Sequence, residues 1–251
     1  MSEQADNTSA FPPTSRTLFR RVIASLDTEC NEALEEFFQD YWHPMYVFLR
    51  SKGTSHEDAS DLVLGFILHE LLTRDQIRNW KPDRGRLRTF LMVGLDRFRI
   101  NEYHRESAQK RGGPKEQTHV SFDFEWSRDR YEQSATIADT PDLQFDREWA
   151  EVVVQKTMHV VEMEYVQRGR AKEYRILSRS LRGRSGGGRR VAYAEIAHNL
   201  RTSENNVKQK MLQLRNRYRH ALSKQVAETV DESEVEEEIR YVSDLVMGRL
   251  G

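Results

Sequence analysis

A chain of 251 residues has room for two small domains and a connection. Its formal net charge of −1 argues neither for nor against a polyanionic partner, and its single cysteine, Cys30, excludes an intrachain disulfide and a cysteine-based metal cluster. No apolar run reaches the ~18 residues of a membrane span, and MSEQADNTSAFPPTS at the start has neither the basic end nor the apolar core of a secretion signal, so a cytoplasmic protein without membrane insertion is expected.

In chain order, residues 1–15 read as a disordered lead carrying Pro12 and Pro13. Thr17 to Leu26 predicts a short helix. Asn31 to Arg50 predicts a longer one, with Phe37, Phe38, Tyr41, Met45, Phe48 and Leu49 on a broad apolar stripe and Pro44 expected to kink or interrupt it. Ser55, three residues before Asp58, resembles a capping box. The helix it opens is expected to run to about Leu72, with Leu64 and Leu68 off the main stripe. That pair is either packing for a neighbouring helix or a docking surface. Trp80 precedes the turn KPDRGR, and a further helix follows from about Leu87 to Arg105. Arg84, Arg86, Arg88, Arg97, Arg99 and Arg105 make this region basic, and with Trp80 and Tyr103 they interleave cations and rings as single-stranded nucleic acid requires.

Residues 106–141 lose periodicity and read as a linker in which Phe122, Phe124, Trp126 and Tyr131 are points of attachment. The next helix starts near Asp142. From Arg168 to Arg190 the chain is rich in arginine and glycine, with Glu173 its one acid, which suits a phosphate backbone. Its glycines lack the GK[ST] and preceding strand of a nucleotide-binding loop.

Val191 to Leu222 carries two helical patterns separated by Arg201, Thr202 and Ser203, the spacing of a helix-turn-helix. Ser203 is the expected N-cap of the second helix. With Val207, Met211, Leu214 and Tyr218 inward, the outward strip holds Asn205, Gln209, Leu212, Gln213 and Asn216, flanked by Lys208, Lys210, Arg215, Arg217 and Arg219. Amides pair with adenine edges and cations hold phosphates, so this face suits a major groove. After Ala227 come seven carboxylates (Glu228, Asp231, Glu232, Glu234, Glu236, Glu237, Glu238) and then Ile239, Val242, Leu245 and Val246 at helical spacing, which predicts an acidic amphipathic helix. Its carboxylates are expected to compete with DNA for the cations before them. No catalytic constellation is recognisable, and no metal ligands or cofactor site are expected.

Read together, the blocks resemble the sigma factors of bacterial RNA polymerase, in particular the extracytoplasmic-function group. DASDLVLGFILHEL (Asp58 to Leu71) is similar to the helix that clamps the largest polymerase subunit, with Leu64 where the family usually has glutamine. RLRTFLMVGLDRFRINEYHR (Arg86 to Arg105) is similar to the helix that melts and holds the −10 element, with Phe90–Leu91 where a Trp–Leu pair is usual. YAEIAHNLRTSENNVKQKMLQLRNRYRHAL (Tyr193 to Leu222) is similar to the −35 reader. Further departures are Arg97 and Asn101 where asparagine and aspartate are common, Asn205 and Asn206 where small residues are usual, the Arg/Gly-rich insertion and the acidic tail.

The resemblance implies an all-α fold of two helical domains joined by a flexible linker, the second containing the helix-turn-helix. Residues 16–105 would bind core polymerase and the −10 element, 106–141 would link, 142–226 would read the −35 element, and 227–251 would be an acidic amphipathic extension. It implies a non-enzymatic protein without cofactor, whose partners are core RNA polymerase, promoter DNA, and an anti-sigma factor or other regulatory protein. Asp58, Asp61, Leu62, Leu64 and Phe66 would hold polymerase. Trp80, Arg84, Arg88 and Arg97 would hold −10 DNA. Asn205, Lys208, Gln209, Leu212, Gln213, Arg215 and Arg217 would hold −35 DNA. The alternative is a stand-alone helix-turn-helix regulator that does not bind polymerase.

Overall fold

The computed structural model describes residues 31–73, 80–109, 125–134, 139–182 and 192–248. The expected helix over Thr17–Leu26, the lead before it and residues 183–190 of the Arg/Gly-rich run lie outside them. Among the described residues the fold is all-α, with no strand. Its helices are α1 (Asn31–Ser51), α2 (His56–Gly65), α3 (Leu87–Gln109), α4 (Glu125–Ser134), α5 (Pro141–Gln167), α6 (Ala171–Arg182), α7 (Tyr193–Leu200), α8 (Glu204–Ala227) and α9 (Val235–Val246). A π-helical segment, Phe66–Thr73, extends α2. No described helix is long and apolar enough to cross a membrane. The chain packs as two units, one ending at Trp149 and the other starting at Ala150, a division that falls within α5.

In the first unit α1 is the central element. Phe38, Tyr41, Trp42, Met45, Tyr46, Val47, Phe48 and Leu49 are all buried. The expected interruption at Pro44 does not occur, since α1 runs through it. A proline inside a helix costs about 3 kcal/mol, but each large side chain buried on either side returns about 1.5–3 kcal/mol. α2 begins as its sequence predicts. The Ser55 Oγ accepts from the Asp58 N–H at 3.1 Å and donates to the Asp58 carboxylate at 2.7 Å. The expected continuation to Leu72 is present, but from Phe66 onward it is wound as a π-helix.

That segment meets α3 through two ring-over-glycine contacts. The Phe66 ring lies where a Cβ on Gly94 would come within 3.0 Å, and the Phe98 ring stands 3.1 Å from the corresponding point on Gly65. The rings are themselves neighbours, 6.0 Å between centroids. Each glycine therefore makes room for the aromatic residue of the opposite helix.

α4 lies inside the stretch whose sequence reads as a linker. It packs on α1, where the Tyr131 ring meets Tyr46 edge-on at 6.3 Å and the Arg50 guanidinium sits 5.2 Å above Tyr131. The start of α5 completes the unit with charged groups. Arg130 donates to Glu148 at 2.7 Å, and Glu148 also lies 3.3 Å from the wholly buried His43 imidazole. Burial pushes His43 below its ordinary value, against the opposing pull of Glu148.

In the second unit the remainder of α5 packs with α6, α7 and α8 around Val161, Tyr165, Tyr174, Leu177, Ile196, Val207, Met211 and Leu214. The Tyr174 hydroxyl donates to the Met158 carbonyl at 2.8 Å. α7 ends on Arg201 in the left-handed region, φ 50°, and Ser203 caps α8 by accepting from the Asn206 N–H. α9 is the amphipathic helix expected of the tail, and Val235, Ile239, Val242 and Leu245 are buried on it. It packs on α8, whose Leu222 and Val226 are also buried.

Gly94→Ala should lower stability by about 1 kcal/mol, because overpacking against Phe66, ~1–3 kcal/mol, outweighs a gain in helix propensity of up to ~1 kcal/mol. Urea denaturation measures it. A second expectation concerns pH. The folded chain protonates His43 only below its ordinary value of 6.5, whereas the unfolded chain protonates it there. The unfolded state thus binds more protons, and stability should fall as pH drops from about 6.5 towards the folded pKa. Unfolding free energies over this range should show a shallower slope for His43→Gln than for the native chain.

Candidate functional site

Three groups of predicted residues find three different environments. On α2 and its extension, Asp58 is exposed and bound into the cap, while Asp61 and Leu62 are half-buried. Leu64 and Phe66 are 5% and 1% exposed and belong to the core of the first unit. Of these five residues, only Asp58, Asp61 and Leu62 therefore contribute surface. Leu64, the residue that reads as either packing or docking, is packing.

The second group surrounds a cavity of about 800 Å³, within the range of small-ligand sites, ~300–1,000 Å³. Trp80, Arg84 and Arg97 line it together with Phe66, Glu70, Gly85, Arg86, Thr89, Phe90, Val93, Gly94, Phe98 and Asn101. Its shape follows from local structure. Lys81 precedes a 3-10 turn at Pro82–Arg84 that ends on Gly85 with φ 112°, a conformation glycine adopts without penalty. The Gly85 carbonyl accepts from the Trp80 indole N–H at 3.1 Å and holds that ring at the rim. The other wall is one face of α3. Arg86, Thr89, Phe90, Val93, Arg97 and Asn101 recur at helical spacing, opposite the buried Leu87, Leu91 and Leu95. Arg84 and Arg97 are exposed and have no acidic partner among the described residues. Aromatic rings, unpaired guanidiniums and an amide around one opening suit a planar, anionic ligand such as a nucleotide.

Arg88 is not part of this wall. It is 5% exposed, its Nε is 3.2 Å from Asp146, and its guanidinium lies 5.2 Å above the Trp149 ring. It forms an internal ion pair between α3 and α5. Glu70 and Thr89 are lining residues that basic-aromatic patterning did not flag. The period of the α3 face was the signal for Thr89, whereas Glu70 comes from the π-helical segment.

The third group lies on α8. Asn205, Lys208, Gln209, Leu212, Gln213 and Arg215 are all exposed, Leu212 at 58%. Val207, Met211 and Leu214 are buried behind them, and burial pushes the Tyr218 phenol up to about 12. The flanking cations are unequal. Arg217 is bound to Glu164 at 2.6 Å beside the Tyr165 ring, Lys210 to Glu173 at 2.8 Å, and Arg219 to Glu236 at 2.8 Å. Burial works against the Glu173 carboxylate, yet the bonds from Lys210 and Arg170 hold it below the usual range. Lys208 and Arg215 have no acidic partner among the described residues. Phosphate contact from this helix is thus better served by Lys208 and Arg215 than by Arg217.

Among the described residues no three His, Cys, Asp or Glu side chains converge as metal ligands would. No protein-family model, curated protein or solved structure matches the chain.

Arg88 and Arg97 of α3 should separate experimentally. Asp146→Asn, which leaves Arg88 buried without its counter-charge, should cost about 3 kcal/mol of stability. Arg97→Gln should change it by less than ~0.5 kcal/mol. Denaturant titrations of both variants check the contrast.

Proposed function

We propose that this chain is a sigma-type specificity subunit, which binds core RNA polymerase and directs transcription initiation by recognising promoter DNA at −10 and −35 elements. On this reading it has two helical domains, the second built on a helix-turn-helix formed by α7 and α8. The observation that carries the proposal is the cavity that Trp80, Arg84, Arg97 and Asn101 share, in a chain whose other unit presents an exposed amide-and-cation helix face. The cavity would take unstacked bases of the melted strand, with stacking on the rings and phosphate contacts offsetting the cost of unpairing. The helix face would read duplex DNA through Gln209, Leu212 and Gln213. Asp58, Asp61 and Leu62 would supply the side-chain surface for polymerase, and an anti-sigma factor or similar regulator would compete for it.

One observation favours a second reading. Burial of Leu64 and Phe66 leaves α2 and its extension with little apolar surface for docking, as in a DNA-binding regulator that works without polymerase. Co-purification with core polymerase separates the two, since only a sigma-type subunit is retained.

For the sigma-type reading, Asp58→Lys with Asp61→Lys should abolish retention on core polymerase while the helical circular-dichroism signal stays unchanged. Trp80→Ala with Arg97→Ala should keep polymerase binding and lower open-complex formation roughly tenfold or more, the scale of losing one base stack at ~1–3 kcal/mol. Run-off transcription from selected promoters measures the second effect. Open complexes formed equally well by this variant would remove the cavity from the mechanism.

A further inference from the structure

The outward face of α6 carries a cationic stripe that neither the cavity nor α8 accounts for. Lys172, Arg175 and Arg179 are all exposed, and none has an acidic partner among the described residues. At about 100° per residue they fall within an arc of roughly 60°. The one acid of the helix, Glu173, points elsewhere and is occupied by Arg170 and Lys210. On α8, by comparison, Lys210, Arg217 and Arg219 are each matched by a carboxylate, and Lys208 and Arg215 are not. Like charges three and four residues apart on a helix repel one another, and no carboxylate among the described residues pairs with them to offset that repulsion. A polyanion would.

We propose that this stripe is a second DNA-backbone site, which binds the phosphates of the duplex beside the stretch that α8 reads. It rests on the reading of the second unit as a duplex-DNA binder and adds an interaction outside that reading. Two features favour a nucleic-acid backbone. From Lys172 to Arg179 the helix rises ~10 Å, which spans about three phosphates of one strand at ~3.4 Å of axis each. In addition, α6 is fixed to α7 and α8 through Tyr174 and Leu177, which are buried in the core they share. The three cations therefore keep a set position relative to Lys208 and Arg215, as a rigid two-point clamp on one duplex requires. The interaction is electrostatic and indifferent to sequence, so it adds affinity without adding specificity.

The test uses the full chain and two duplexes, one selected by it from a random pool and one unrelated. Affinity is measured between about 50 and 200 mM salt. Lys172→Gln/Arg175→Gln/Arg179→Gln should reduce the slope of log affinity against log salt by about two to three, at about 0.9 for each phosphate no longer neutralised. Both duplexes should weaken alike, so that the preference between them is unchanged. Arg175→Lys/Arg179→Lys should restore the native slope, because charge is what the backbone reads. Glutamine is close to lysine and arginine in helix propensity, and an unchanged thermal midpoint confirms that the triple variant folds. An unchanged slope in the triple variant, alongside a reduced one in Lys208→Gln/Arg215→Gln, overturns the α6 site and leaves the α8 reading intact. If the native chain binds neither duplex at the lowest salt, the DNA reading of this unit falls and the α6 site with it.

Discussion

The first unit depends on an ion pair that water scarcely reaches. Arg88 on α3 and Asp146 on α5 meet with their side chains only 6% and 10% exposed, and Trp149 covers the guanidinium. Burying two charges is costly, so such a pair adds little net stability. Its importance is orientation, because a buried arginine accepts few alternative positions once its counter-charge is fixed. Arg97 lies nine residues further along the same helix, and nine steps of about 100° amount to about two and a half turns, which puts it on the opposite face. Holding Arg88 inward therefore directs Arg97 outward to the cavity. The rotation of α3 also sets Thr89, Phe90, Val93 and Asn101 along the cavity wall. The glycine contacts set its depth, since Gly94 and Gly65 let α3 approach the π-helical segment as closely as Phe66 and Phe98 allow.

The sequence discloses elements whose determinants are local. The Ser55 and Ser203 caps, the inward face of α8 and the amphipathic face of α9 each depend on residues within a few turns, and each is found as its spacing indicates. Determinants supplied by distant residues are not legible. Arg88 reads as one more cation on a basic helix because its partner is 58 positions away. α4 shows no sustained apolar period because its attachment is ionic and aromatic, through Arg130 to Glu148 and Tyr131 to Tyr46 and Arg50. Pro44 signals a break by local rules, yet the core around it outweighs the missing hydrogen bond. The same division holds at the candidate site. Trp80, Arg84 and Arg97 converge as their composition suggested, but Leu64 and Phe66, given a surface role by resemblance, are taken up by the core.

Charge in the second unit is distributed by partnership more than by count. Arg217 is held by Glu164 and by the Tyr165 ring, so extracting it for a phosphate would break two interactions. Lys210 shares Glu173 with Arg170 and is similarly engaged. These pairs tie α8 to α5 and α6 and keep its outward face in a fixed rotation. Lys208 and Arg215 on α8 and the stripe on α6 are among the described cations that remain without an acidic partner.

The acidic tail bears on these cations differently from what its carboxylate run suggests. Glu236 pairs with Arg219 of α8, and both side chains are largely exposed, at 63% and 66%. A pair so open to water contributes ~0–1 kcal/mol and weakens with salt. Docking of α9 is instead secured by Val235, Ile239, Val242 and Leu245, whose burial is worth several times that at ~1.5–3 kcal/mol each. The helix therefore stays in place whether or not the exposed Glu236–Arg219 pair is formed. A phosphate approaching Arg219 would meet an acid that yields easily on a scaffold that does not. On the proposed DNA-binding reading, competition at this pair would be weak, local to the C-terminal half of α8, and would leave Lys208, Gln209 and Gln213 towards the opposite end untouched.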